Sequence, residues 1–194
     1  MVGRVGTAGR RTVAAVALTV LTLVATGCDI GTITRQDLEA KIQSRGGGFD
    51  QQLALDAAGT VGDRVGTPDF EITSMNITPM PATVTMRVRD PHNPNNLDEY
   101  TYRSGKLDDP KPVQLSAADD IGSQAFRVQS VALNKLDRMV DVALEKYATE
   151  GGYVTGVSIS GGKTPKIIVQ LKSPRSTATA TFDADGNLLT LERG

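Results

Sequence analysis

The sequence predicts an α+β protein: two helix-then-antiparallel-strands repeats forming one sheet, with the helices packed on one face. Three observations predict this. The apolar period changes from three-to-four residues to two, and it does so twice, near Phe70 and again near Tyr153. Gly, Pro, Asn and Asp break the period-two stretches at hairpin spacing. The two halves also align, with Ile72-Thr73-Ser74-Met75-Asn76-Ile77-Thr78 over Val154-Thr155-Gly156-Val157-Ser158-Ile159-Ser160. The repeat unit is about 80 residues, an internal duplication in which neither copy has much core of its own.

The elements follow in order. Thr34 has the character of an N-cap, with Asp37 three residues on and Leu38 and Ile42 behind it, until Gly46-Gly47-Gly48 stops the helix. A second helix starts at Asp50, with Leu53, Ala54, Ala57, Ala58 and Val61 as its stripe and Gly66-Thr67-Pro68 as its end. Ile72, Met75 and Ile77 mark a strand with a slip in its alternation, which predicts a bulge. Val84, Met86 and Val88 alternate with Thr85, Arg87 and Arg89 in the next strand. Asp90 to Asn96 is a loop, Leu97 to Tyr102 a strand, and Ser104-Gly105 a turn. The second unit opens with Ser130 as N-cap of a helix carrying Val131, Leu133, Leu136, Val140, Ala143, Leu144 and Tyr147. Strands follow at Tyr153–Ser160, Lys166–Lys172, Ser176–Phe182 and Leu188–Leu191. Asp183-Ala184-Asp185-Gly186 makes the last hairpin turn.

The first 27 residues are of another kind. They hold Arg4, Arg10 and Arg11, no acid, and an apolar run from Val13 to Ala25. That run is shorter than the ~20 residues of a membrane span and ends in Ala25-Thr26-Gly27, the layout of an export signal. Cys28, the single cysteine of the chain, follows directly. Gly27-Cys28 after an apolar run resembles the lipobox of bacterial lipoproteins, with Ala25 where Leu or Val is usual. The resemblance implies cleavage before Cys28, acylation of that residue, and a protein held on the extracytoplasmic face of the cell membrane. The domain layout expected is a signal peptide at 1–27, a lipidated tether at 28–33, a first α+β repeat at 34–115, a linker at 116–129 and a second repeat at 130–194. Removing the signal leaves 18 basic and 22 acidic residues, so attachment to acidic lipid must come from the acyl anchor.

The helix-then-strands order, closed by Thr181-Phe182-Asp183-Ala184-Asp185-Gly186-Asn187-Leu188, resembles the PepSY-like superfamily. In tandem it is similar to the two-repeat layout of secreted beta-lactamase inhibitor proteins. The resemblance implies a binding module without intrinsic catalysis. Those inhibitors are disulfide-bonded, which a chain with one cysteine cannot be, so their inhibitory activity does not carry over.

The 194 residues contain one His, one Cys and no Trp, which excludes a His/Cys zinc cage and leaves a hydrolase triad with only His92 to draw on. His92 lies in the turn Asp90-Pro91-His92-Asn93-Pro94. Gly161-Gly162-Lys163-Thr164 matches the end of a P-loop, but Val157 stands where the first Gly belongs and the segment joins two strands. Asp90, Asn93, Asn95 and Asp98, like Asp183, Asp185 and Asn187, read as turn chemistry rather than calcium ligands. Asp98 and Glu99 are adjacent in a strand and so face opposite sides of the sheet. No cofactor and no nucleic-acid footprint is expected at a net charge of −1. Arg87, Arg89 and Arg103, with Tyr100 and Tyr102 on the paired strand, are the expected recognition surface, because Arg and Tyr are favoured interface anchors. The reading is of a membrane-attached, non-catalytic module that binds an envelope protein or peptide. The alternatives are a carrier with a helix-on-sheet cavity for a lipid, and, last, an enzyme. Met75, Met80, Met86 and Met139 are expected in the core.

Overall fold

A computed structural model describes residues 48–194 except Ala117. The expected export signal, Cys28, the expected tether and the helix expected from Thr34 lie outside the described residues. α1 spans Gln51–Val65. Asp50 caps it, its carboxylate accepting from the Gln52 N–H at 2.8 Å. A second carboxylate, that of Asp137, accepts from the Gln51 N–H at 2.7 Å. Gly66, at φ 79°, turns the chain out of the helix.

Three strands follow: β1 (Glu71–Pro79), β2 (Ala82–Arg89) and β3 (Leu97–Arg103), then two-residue strands β4 (Lys106–Leu107) and β5 (Lys111–Pro112). Both short strands pair with β3. Residues 116–129, expected as a linker, instead carry structure. A single turn, α2 (Ile121–Gln124), leads into β6 (Phe126–Arg127), which pairs with β1, and Phe126 and Val128 enter the core. The second long helix, α3, covers Leu136–Tyr147. The expected start at Ser130 is displaced, because its hydroxyl donates to the Arg127 carbonyl at 2.7 Å instead of capping, and two short 3₁₀ turns fill residues 128–135. β7 (Tyr153–Ser160), β8 (Lys166–Lys172), β9 (Thr177–Phe182) and β10 (Leu188–Arg193) complete the chain.

The strands form one antiparallel sheet in the order β10-β9-β8-β7-β1-β2-β3-β4. β1 and β7 meet at its centre, with Met75 opposite Ile159 and Ile77 opposite Val157. The slip foreseen in β1 is a bulge at Thr73, which lets Ile72 and Met75 both face inward. β7 carries a second bulge between Val154 and Gly156, so its inward set is Val154, Val157 and Ile159 rather than the strict alternation expected from Tyr153. One core joins these residues to Val84, Met86 and Val88 of β2, to Ile167, Val169 and Leu171 of β8, and to Ala178, Ala180 and Phe182 of β9. Ala54, Ala57 and Val61 of α1 and Leu136, Met139, Val140, Ala143 and Tyr147 of α3 close the same core from one side.

Side-chain and backbone locks fix the margins. The Tyr147 hydroxyl donates to the Ser176 carbonyl at 2.8 Å, and Arg193 of β10 lies 5.6 Å above its ring while donating to its carbonyl at 2.7 Å. In the last hairpin Asp183 accepts from the N–H of Asp185 at 3.0 Å and of Asn187 at 2.8 Å, and from the Asn187 side chain at 2.9 Å. Those bonds, the Asn187 side chain first, hold the Asp183 carboxyl below its ordinary range. Gly162, at φ 60°, sits where an added Cβ would lie 2.1 Å from the Ser123 carbonyl oxygen, so the β7–β8 turn touches α2 backbone to backbone.

Two outcomes test these locks. Gly162→Ala should lower stability by more than about 1 kcal/mol, read as a drop in the urea midpoint, since neither backbone can give way cheaply. Asp183 has a depressed folded pKa, so its contribution is complete above its unfolded value of about 3.9 and fades as pH falls through the lower folded value. The stability gap between the wild type and Asp183→Asn should therefore be widest near neutrality and close in acid, measured by urea titrations across that range.

Candidate functional site

The helices cover one face of the sheet, and the side chains of opposite parity form the other. Register places Thr190, Thr181, Ile168, Ser158, Asn76, Thr85 and Thr101 in one row across seven strands. At about 4.8 Å between strands the row is roughly 29 Å long. A neighbouring row runs Lys166, Ser160, Ser74, Arg87, Glu99 and Lys111. Apart from Ile168, the first row is made of short hydroxyl and amide side chains, while the second carries charge at Lys166 and at Arg87, Glu99 and Lys111 near the β2–β3 margin.

The expected arginines are on or beside it, each with a carboxylate partner. Arg87 Nε lies 3.3 Å from Glu99, directly opposite on β3. Arg89 Nη1 lies 2.8 Å from Glu71 and its Nε donates to the Pro94 carbonyl at 2.7 Å. Arg103 Nη2 lies 3.0 Å from Asp108. Exposed pairs of this kind contribute roughly 0–1 kcal/mol each, and they leave the face nearly neutral.

Tyr100 and Tyr102 are corrected. Tyr100 stands opposite Met86 and Tyr102 opposite Val84, which are core positions, and each tyrosine is only 7% exposed. Arg87 pairs with Glu99, so the tyrosine next to Glu99 has the other parity and turns inward. Burial, followed by the nearby Asp98 carboxylate, pushes the Tyr100 hydroxyl above the usual phenol range. Three arginines thus belong to the polar side of the sheet and both tyrosines to the core side.

The other residues singled out from the sequence fall as their turns dictate. His92 is exposed in its loop, with Nδ1 3.6 Å from Asp90. Gly161-Gly162-Lys163-Thr164 connects β7 to β8. Asp98 stands opposite Val88 and Glu99 opposite Arg87, on opposite faces. Met75, Met86 and Met139 are buried, whereas Met80 is 45% exposed at the turn between β1 and β2.

Sequence reasoning missed a groove of about 610 Å³ along α1. Leu55, Ala58, Gly59 and Gly62 form one wall, and Val128, Val131 and Leu133 the other. Gly62 has a packing reason, since a Cβ there would lie 3.1 Å from the Thr67 carbonyl oxygen. Gly59 has none, because nothing lies within 4 Å of its Cβ position. A glycine inside a helix costs about 0.5–1 kcal/mol relative to alanine. One wall was readable as Leu55, Ala58, Gly59 and Gly62, at i, i+3, i+4 and i+7 on a second face of the helix.

Among the described residues no helix is long and apolar enough to cross a membrane, and no group of three or more His, Cys, Asp or Glu is placed to hold a metal ion. No family model matches the chain, and no curated protein matches it in sequence. Among solved structures it is similar to a protein of Clostridium difficile 630 described as a candidate lipoprotein. The match has a TM-score of 0.51 at 14% identity and covers 73% of this chain and 92% of that one. At such identity the likeness is one of fold.

Proposed function

We propose that this chain is a lipid-anchored binding module of the extracytoplasmic membrane surface, and that it captures a protein or peptide on the uncovered face of its sheet. The observation that carries the reading is the Thr190-to-Thr101 row, a polar surface roughly 29 Å across, backed by a fully packed core. Anchoring is supported by Cys28 at the end of an apolar run and by the fold shared with a protein described as a candidate lipoprotein. Attachment through Cys28 raises the effective concentration of that face for partners on the same membrane. No catalytic role is assigned.

The sheet is proposed to be a duplication of a PepSY-like unit. Register supports this: the bulge of β1 between Ile72 and Ser74 and the bulge of β7 between Val154 and Gly156 occupy the same place in the two aligned segments. At the seam, Met75 meets Ile159 and Ile77 meets Val157, each residue facing the counterpart of the other, as a two-fold relation requires.

A second reading is favoured by the α1 groove. Its volume of about 610 Å³ falls in the range of small-molecule sites, and Gly59 keeps it open without a packing need. In this reading the protein carries an apolar ligand along α1. The helix-on-sheet interior expected for such a carrier is filled by Leu136, Met139, Val140 and Ala143.

Metabolic labelling with a fatty-acid analogue should mark the wild type and leave Cys28→Ala unmarked; equal labelling would remove the anchor. Thr85→Arg with Ser158→Arg should abolish co-purification of a partner from intact membranes, while Gly59→Leu leaves it unchanged. The reverse result would favour the groove over the sheet face.

A further inference from the structure

We infer that the β1–β2 turn around Met80 is a membrane-contact surface that orients the protein on the bilayer, an inference that rests on the lipid-anchored reading above. The turn reads Pro79-Met80-Pro81-Ala82, and Met80 is 45% exposed. A single exposed apolar residue is ordinary on any surface. Leu189, at 51%, is another. Two features set Met80 apart.

The first is its surroundings. The turn borders a hollow of about 400 Å³ whose walls include Phe49, Leu53, Ile77, Ala82 and Tyr102, together with Asp50, Gln52 and Asp56 at the first turns of α1. The β3–β4 turn, Ser104-Gly105, closes the same hollow, and exposed Lys106 follows it. An apolar tip flanked by Lys106 and by the carboxylates of Asp50 and Asp56 suits the boundary between acyl chains and zwitterionic headgroups, so the contact rests on the apolar tip rather than on net charge. The opposite end of the same strands is unlike it: the β2–β3 loop holds Asp90, His92, Asn93, Asn95 and Asn96.

The second feature is where the chain enters. Gly48 and Phe49 line this hollow together with Pro79 and Ala82, so the first described residues lie by the turn that carries Met80. Residues 28–47 could span at most about 70 Å, so the folded part stays within that distance of the anchor. Insertion of even a small apolar tip is then favoured by high effective concentration. The occupant is therefore the membrane that holds the anchor, rather than a protein arriving from solution. The uncovered sheet face then stands upright from the bilayer along the direction of β1, open to partners from the side.

The test uses the mature acylated protein in vesicles of zwitterionic lipid. Cys28 is consumed by acylation, so Met80→Cys supplies one reactive thiol for an environment-sensitive fluorophore, and Leu189→Cys supplies the control. The Met80→Cys probe should shift to the blue and be quenched by lipids carrying a shallow quencher, while the Leu189→Cys probe remains as in water. If the protein floats with the vesicles but both probes report water, the orientation is overturned and the anchor stands. If it fails to float, the lipid-anchored reading fails first. A Met80→Cys shift that needs added protein instead of vesicles would also overturn the inference.

Discussion

The seam between β1 and β7 is the constraint on which the rest of the molecule depends. Each half offers one long helix over three or four strands, which buries little by itself. Joining the halves through Met75, Ile77, Val157 and Ile159 places eight strands in one path and lets α1 and α3 close a single core. The reciprocal contact of Gln51 and Asp137 then ties the start of one helix to the start of the other. The uncovered face exists only because the seam sets both halves in the same plane, so the proposed recognition surface and the stability of the fold have one origin.

Most of the fold was legible because it follows from period and punctuation. Val84, Met86 and Val88 alternate without interruption, and Pro, Asn, Asp and Gly break the chain where the backbone has to turn. The bulge at Thr73 was readable as well, because Ile72 and Met75 break step by one residue. What escaped the sequence was held by tertiary contacts. Thr155 interrupts β7 without disturbing an apolar pattern strong enough to mark it. Ser130 has the right chemistry for a cap but spends its hydroxyl on the Arg127 carbonyl. Residues 116–129, expected as a linker, carry Ile121, Phe126 and Val128 too sparsely to show a period, yet tertiary contacts bury all three.

The site was less legible than the fold. Arg87 and Arg89 lie on the face opposite Val84, Met86 and Val88, as the alternation within β2 indicates by itself. Tyr100, Tyr102 and Arg103 share β3, and their faces needed the register between two strands, which the loop from Asp90 to Asn96 determines and the local pattern does not. A shift of one residue exchanges the faces. The α1 groove had one wall readable in the spacing of Leu55, Ala58, Gly59 and Gly62, but its opening depended on where the 3₁₀ turns after β6 place Val128, Val131 and Leu133.

The two margins of the sheet differ. At the β3 side, β4 and β5 are two residues long, and Pro110, Lys111 and Pro112 blunt the edge. At the other side β10 runs for six residues and pairs, among the described residues, with β9 alone. Growth of a sheet into a filament needs two adhesive margins per molecule, one to accept and one to offer. Here strand-to-strand addition has a single outlet, so two molecules meeting β10 to β10 would exhaust it. Crowding would then end in pairs instead of fibres.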